Sequence, residues 1–178
     1  MTKNPNSDIF KYCPKCGSDK FEPNCIKSFQ CNNCNFLFYL NSAAASAGLI
    51  FDNLNRLLVT VRKSDPGKGT FDLPGGFSDP DEKIEETIVR EIKEELNLDI
   101  YDLKYFDSEP NHYFYNDVNY QTLDMIFLCK TKSFDNIIVN DDVADYKLIK
   151  ISELDENLFG LSSIKNVIKK LKTNPPTF

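Results

Sequence analysis

Three glutamates, Glu91, Glu94 and Glu95, stand at i, i+3 and i+4 in the stretch Gly75–Leu98, GGFSDPDEKIEETIVREIKEELNL. On a helix that spacing puts all three carboxylates on one face. Like charges so placed repel and weaken the helix, so a chain that keeps them needs a counter-charge. Arg90 supplies part of it by reaching Glu94 at i+4, and a divalent cation is the natural remainder. Mg²⁺ or Mn²⁺ takes carboxylate and carbonyl oxygen. Such ions neutralise an anionic diphosphate and lower the pKa of a bound water. The chemistry these residues suit is therefore that of a bound divalent cation acting on an anionic substrate. Most acidic runs are only solvated helix faces, so the full spacing has to decide.

The element that must carry the glutamates has its own signals. Ile84, Ile88, Ile92 and Leu96 recur every fourth residue, with Val89 beside them, and make one buried stripe. Asp79-Pro80-Asp81-Glu82 predicts the start, with Asp79 as cap, Pro80 at the first helical position and Glu82 closing a capping box. From Gly76 the chain reads Gly-x5-Glu82-x7-Arg90-Glu91-Ile92-x-Glu94-Glu95-x-Asn97-Leu98. This resembles the signature of the Nudix hydrolases. One position departs: Asn97 stands where that family has the glycine that ends the helix in a left-handed conformation. Asparagine is the next-best residue for that backbone, so the departure is expected to be tolerated.

The resemblance implies an α/β fold, an α/β/α sandwich with a mixed sheet and the acidic helix packed on it. It implies that Glu91, Glu94 and Glu95 bind or bridge Mg²⁺ or Mn²⁺, that one of them deprotonates the attacking water, and that the Gly75 carbonyl adds a ligand. Arg90 orients the glutamates, and Glu82 supports the site through Arg90. A further acidic residue precedes a late strand in such proteins; Asp142 aligns best, with Asp141 and Asp145 as alternatives. The implied reaction cleaves a nucleoside diphosphate linked to another group (NADH, ADP-ribose or a related nucleotide) and releases a nucleoside monophosphate. A non-catalytic nucleotide sensor of the same fold and a zinc-ribbon nucleic-acid binder are the competing readings.

Upstream lie Cys13-Pro14-Lys15-Cys16-Gly17 and Cys31-Asn32-Asn33-Cys34. Two Cys-x-x-Cys knuckles joined by a loop of this length suit four thiolates around one tetrahedral Zn²⁺. Residues 8–40 are accordingly predicted to be a small four-cysteine zinc ribbon, and 41–174 the Nudix-like domain. Cys25 falls in a ribbon loop, and Cys129 ends the apolar run Met125–Leu128 as a core residue. Residues up to Ser7 are polar and expected to be loose. A ribbon ahead of such a domain resembles the bacterial NADH pyrophosphatases. Those enzymes carry Ser-Gln-Pro-Trp after the acidic helix; here Ser108-Glu109-Pro110-Asn111 keeps only Ser108 and Pro110, which counts against NADH specificity.

Between these landmarks, Gly48–Phe51 and Arg56–Arg62 read as a β-hairpin or adjacent strands around a turn at Asp52–Asn55. Leu98–Phe106 and Tyr120–Lys130 read as two more strands, and Tyr146–Ile151 as another. Arg62 and Lys68, flanking the loop 64–69, are placed to meet phosphate, and Tyr113 and Tyr115 to stack on a base. His112, the single histidine, is expected on a surface loop. Ser162 and Ser163 predict the cap of a last helix with Ile164, Val167, Ile168 and Leu171 as its stripe. The chain has 178 residues and a net charge of −6. That charge argues against broad attraction to nucleic acid, although an NAD-capped RNA stays among the candidate substrates and a homodimer among the candidate assemblies. No run reaches the ~20 apolar residues of a membrane helix, and a cytoplasmic location is the default expectation.

Overall fold

The computed structural model describes residues 4–176. They divide into two compact units, one of residues 4–42 with 112–121, the other of 43–111 with 122–176.

In the first unit three short antiparallel strands, β1 (Phe21–Cys25), β2 (Ser28–Cys31) and β3 (Leu37–Tyr39), lie in the order β1-β2-β3. Its core is small: Cys13, Phe21, Phe29 and Cys31, with Phe10, Phe36 and Phe38 against them. So few apolar groups cannot hold a fold alone, and the cysteines discussed below answer for the rest. The expectation of a loose N-terminus fails from residue 4 onward. Asn4 and Asn6 are only 3% and 1% exposed. Asn4 donates its side-chain amide to the Cys25 carbonyl at 3.0 Å. Asn6 donates to the Asn119 carbonyl at 2.9 Å and accepts from the Asn119 amide at 2.8 Å. Two asparagines thus tie the ribbon to residues 112–121, the end of a long hairpin. Polar composition suggests a tail because asparagine is mostly exposed; here its amides pair with backbone groups in place of water. Residues 1–3 of the expected tail lie outside the described residues.

The second unit contains β4 (Ala43–Ile50), β5 (Arg56–Arg62), β6 (Phe71–Asp72), α1 (Ile84–Leu96), β9 (Val143–Lys150) and α2 (Ser162–Thr173), with most of β7 (Ile100–Tyr115) and β8 (Val118–Thr131). Two three-stranded sheets form, β4-β8-β7 and β6-β5-β9. β4 runs parallel to β8, whereas β5 is antiparallel to β6 and β9, so the arrangement is mixed. Phe51, just past β4, makes an isolated bridge to Leu57 of β5, while the two strands lie in different sheets. β7 and β8 extend past the predicted strands and meet at Asn116-Asp117, both with positive φ, the backbone of a tight hairpin turn.

Alternation along the strands sorts the core into two layers. Ala47, Leu49, Leu57, Val59 and Ile126 pack with Ile164, Val167, Ile168 and Leu171 of α2. Ile50, Leu58, Phe127 and Cys129 pack with Ile88, Ile92 and Leu96 of α1. This is the α/β/α sandwich. Each fully buried Ile or Leu of α1 contributes about 2 kcal/mol of transfer free energy, enough to hold the helix despite its acidic face.

Both helix starts differ from expectation. α1 begins at Ile84, with Glu86 accepting from the Lys83 amide at 3.0 Å. Asp81 takes φ 65°, which breaks any helix through 79–82. That segment is a turn in which Glu82 accepts from the Asp79 amide at 3.0 Å. In α2, Ser162 and Ser163 are already helical, and their hydroxyls donate to Asn111 and Asp124. Asn97 does adopt the left-handed conformation at the end of α1, φ 54° and ψ 27°, and its amide donates to the Lys93 carbonyl.

Candidate active site and zinc ribbon

The loop before α1 runs along β4. Gly48 donates to the Pro74 carbonyl and Ser46 to the Gly76 carbonyl, each at 2.8 Å. Gly75 between them has φ 143°, and a Cβ there would strike the Ser46 carbonyl and Ala47, so only glycine fits. A Cβ on Gly76 would come within 2.6 Å of the Glu91 carboxylate. The loop therefore brings bare backbone up to the acidic face of α1. Gly75 donates its amide to Glu95 Oε2 at 3.0 Å. Among the described residues nothing donates to the Gly75 carbonyl, while those of Pro74 and Gly76 are used on β4.

Arg90 organises the remaining carboxylates. Its Nε and Nη2 donate to Glu82 at 2.8 and 2.9 Å, its Nη1 to Glu91 at 2.8 Å and Glu94 at 3.1 Å, and Nη2 also to the Phe77 carbonyl. Arg90 holds Glu82 down to a pKa of about 2, and the glutamates in turn push the guanidinium up. Glu91 and Glu95 are raised instead, in each case first by burial. Glu95, 7% exposed, reaches about 8; Glu91, Asp72 and Asp141 add to burial there, and the Gly75 amide opposes them. The three glutamates share a face, but their oxygens do not converge within 4.8 Å of one another. Arg90 draws Glu91 and Glu94 to itself while Gly75 holds Glu95. Carboxylates beside backbone carbonyl suit a hard divalent cation by donor chemistry.

The loop before β9 presents two aspartates. Asp141, φ 51°, raises both Glu91 and Glu95 by its charge. Asp142 is exposed, and its carbonyl accepts from the Lys63 amide at 2.8 Å. Lys63 Nζ donates to the Asp141 carbonyl at 2.8 Å and fixes that turn. Both aspartates are exposed; Asp141 adds its charge to the glutamates, and Asp142 meets Lys63 through its backbone. One-residue offsets in a polar turn leave no pattern in the sequence to separate the two.

Arg62 is engaged inside the protein. It donates Nη1 to Asp72 at 2.5 Å and Nε to the Pro66 carbonyl at 2.6 Å, so it braces the 64–69 loop. Lys68 is exposed. Tyr113 and Tyr115, rings 6.4 Å apart, belong to the ribbon unit. His112 is in that unit too but on β7, its Nδ1 2.9 Å from Gln121 Nε2. The sequence gives little sign of Asp72, buried with its carboxyl raised by burial against the pull of Arg62. Nor does it mark Asp124, which accepts from Thr122 and Ser163. The available signal was an acid inside each apolar stretch, Phe-Asp-Leu and Leu-Asp-Met-Ile.

In the ribbon, Cys13, Cys16, Cys31 and Cys34 place their sulfurs within 4.8 Å of one another. Cys13–Cys34 and Cys16–Cys31 are 3.8 and 3.7 Å apart. A tetrahedron with Zn–S near 2.3 Å has edges of about 3.8 Å, so the set fits zinc. The two knuckles match: Gly17 and Asn35 both take positive φ and donate their amides to the carbonyls of Cys13 and Cys31. Within the cluster the Cys16 thiol is lowered to about 6, first by the Ser18 amide, while Cys34 is pushed up to about 12 by burial and the neighbouring cysteines. Cys25 is exposed beside Ser28, and Cys129 is buried with its thiol pushed up to about 12.

The NUDIX domain description matches residues 41–171. The chain belongs to the NUDIX family. Among curated relatives of this NUDIX chain, an ADP-ribose pyrophosphatase of Methanocaldococcus jannaschii is 48% identical over 63 residues, 35% of this chain and 37% of that one. A human mitochondrial NAD(P)H pyrophosphatase, NUDT13, is 30% identical over 102 residues, 57% of this chain and 28% of that protein. The NAD-capped RNA hydrolase NudC of Vibrio atlanticus is 27% identical over 100 residues, 56% and 36% respectively. The match thus spans little more than a third of these relatives, at most. A NUDIX hydrolase structure from Nitrosomonas europaea superposes with a TM-score of 0.67 at 19% identity, covering 95% of this chain and 96% of that one, which speaks for the fold. No helix among the described residues is long and apolar enough to cross a membrane.

Proposed function

We propose that this NUDIX chain is a Mg²⁺- or Mn²⁺-dependent hydrolase that splits the pyrophosphate of a nucleoside diphosphate linked to another group and releases a nucleoside monophosphate. The observation that carries the reading is the full set of box carboxylates with their arginine. Glu82, Arg90, Glu91, Glu94 and Glu95 are all retained, Arg90 joins Glu82, Glu91 and Glu94, and the Gly75 amide engages Glu95. Glu91, Glu94, Glu95 and the Gly75 carbonyl would hold the ions, with Asp141 beside them and Asp142 the neighbour from the same turn. When bound, the ions neutralise the diphosphate and acidify a water. Arg90 orients Glu91 and Glu94. Glu91 or Glu95 takes the proton of the attacking water at a carboxylate oxygen. ADP-ribose is the favoured substrate: the 48% identity is to a pyrophosphatase of that name, and Glu109 and Asn111 replace the Gln and Trp linked to NADH. The ribbon cysteines would hold one zinc that keeps the ribbon folded. A panel of ADP-ribose, NADH, NAD-capped RNA and ATP, with and without Mg²⁺, tests the proposal. AMP appearing fastest from ADP-ribose supports it. No Mg²⁺-dependent turnover of any member overturns it.

A further inference from the structure

Beneath α1 sits a hydroxyl with no partner. Ser46 is 4% exposed, and its Oγ is the one buried side-chain polar atom among the described residues without a hydrogen bond. A buried hydroxyl left unpaired is costly, and such orphans in native proteins commonly bind a water or ion. A second buried hydroxyl shows the contrast. Thr87, also fully buried, donates to Glu82 and lies within reach of Ser78 and the Lys83 carbonyl.

The backbone says where Ser46 looks. On β4, Ala47 and Leu49 pack in the α2 layer and Ile50 in the α1 layer. A Cβ on Gly48 would meet Ile92 and Ile88 of α1. Ser46 shares the parity of Gly48 and Ile50, so it faces α1. Its height along the strand is set by the glycine loop. Ser46 donates its amide to Gly76, a Cβ on Gly75 would strike the Ser46 carbonyl, and a Cβ on Gly76 would touch the Glu91 carboxylate. Ser46 therefore lies on the floor of the carboxylate site, at the level of Glu91.

We infer that Ser46 is a positioning residue for the metal site: its hydroxyl holds a buried water that hydrogen-bonds to the ligand shell at Glu91 and fixes that carboxylate. The inference rests on the carboxylates binding a divalent cation. Groups of this kind behind metal ligands commonly set affinity about tenfold or more. A serine kept merely for its small size would behave differently, since alanine would fill the same space and remove the orphan hydroxyl.

The test is Mn²⁺ binding to the full chain, without substrate, by isothermal titration calorimetry, for wild type and Ser46→Ala, alongside their thermal midpoints. The expected result is Mn²⁺ affinity lower by about tenfold in Ser46→Ala, with circular dichroism unchanged. Ser46→Cys, which keeps the size and only a weak donor, should fall between the two. Equal Mn²⁺ affinity in wild type and Ser46→Ala overturns the inference, whether the midpoint rises or falls. Failure of the wild type itself to bind Mn²⁺ would instead remove the metal-site reading on which it rests.

Discussion

Glu95→Gln should stabilise the protein as pH rises and slow its hydrolysis by on the order of 100-fold or more. In the folded chain Glu95 is buried against the Gly75 amide, near Glu91, Asp72 and Asp141, and its pKa is raised from 4.5 to about 8. The unfolded chain releases that proton near 4.5. Between those values the folded state binds more protons than the unfolded state, so stability falls as pH rises through the window. Going from pH 5 to pH 9, the two titrations together amount to about 4 kcal/mol of lost stability from this one group. Glutamine keeps an oxygen for the Gly75 amide and cannot ionise. Urea unfolding at pH 5, 7 and 9, in buffer without added divalent cation and with zinc left in place, should show wild type losing several kcal/mol relative to Glu95→Gln. Saturating Mg²⁺ should return most of that to the wild type and little to the variant, since an ion bound only to the native state stabilises by mass action. Parallel stability–pH curves for the two proteins would refute the reasoning.

Three more outcomes follow from the geometry. Gly76→Ala displaces only the movable end of Glu91, so hydrolysis should fall at least tenfold with a thermal midpoint changed by only a few degrees, whereas Gly75→Ala meets backbone and should fail to fold; scanning calorimetry beside a rate assay separates them. Cys31→Ser should reduce zinc from about one ion per chain to near none by metal analysis and expose the Phe21–Phe29 core to proteolysis. Asn6→Ala leaves the Asn119 amide and carbonyl without their partner and should cost about 1–3 kcal/mol locally, read as faster hydrogen exchange at Asn119 than at β8 residues near Ile126.

How much of this was legible beforehand depends on how local the cause is. The stripe of α1, the left-handed Asn97 and the cysteine knuckles each follow from a few consecutive residues, and all are found. The start of α1 was misplaced because proline and glutamate at 80 and 82 mimic a capping box, while the positive φ of Asp81 that breaks it has no strong sequence mark. Ser162 and Ser163 look like caps, but their hydroxyls answer Asn111 and Asp124, residues some forty to fifty positions away. The same long range hides the pairing of Asn6 with Asn119, the parting of β4 and β5 into two sheets, and the coupling of Asp141 to the glutamates. Arg62, expected to meet phosphate, is found paired with Asp72, ten residues on, which the sequence does not mark.

The acidic face of α1 is proposed to turn a nucleoside diphosphate into a monophosphate with the help of a divalent ion. The most direct test is the rate of AMP release from ADP-ribose at saturating Mg²⁺ for wild type, Glu94→Gln and Glu95→Gln, each checked for native circular dichroism. Both variants should be slower by on the order of 100-fold or more, and the wild type should stop when Mg²⁺ is withdrawn. Variants as fast as wild type, or release indifferent to Mg²⁺, would contradict the proposal.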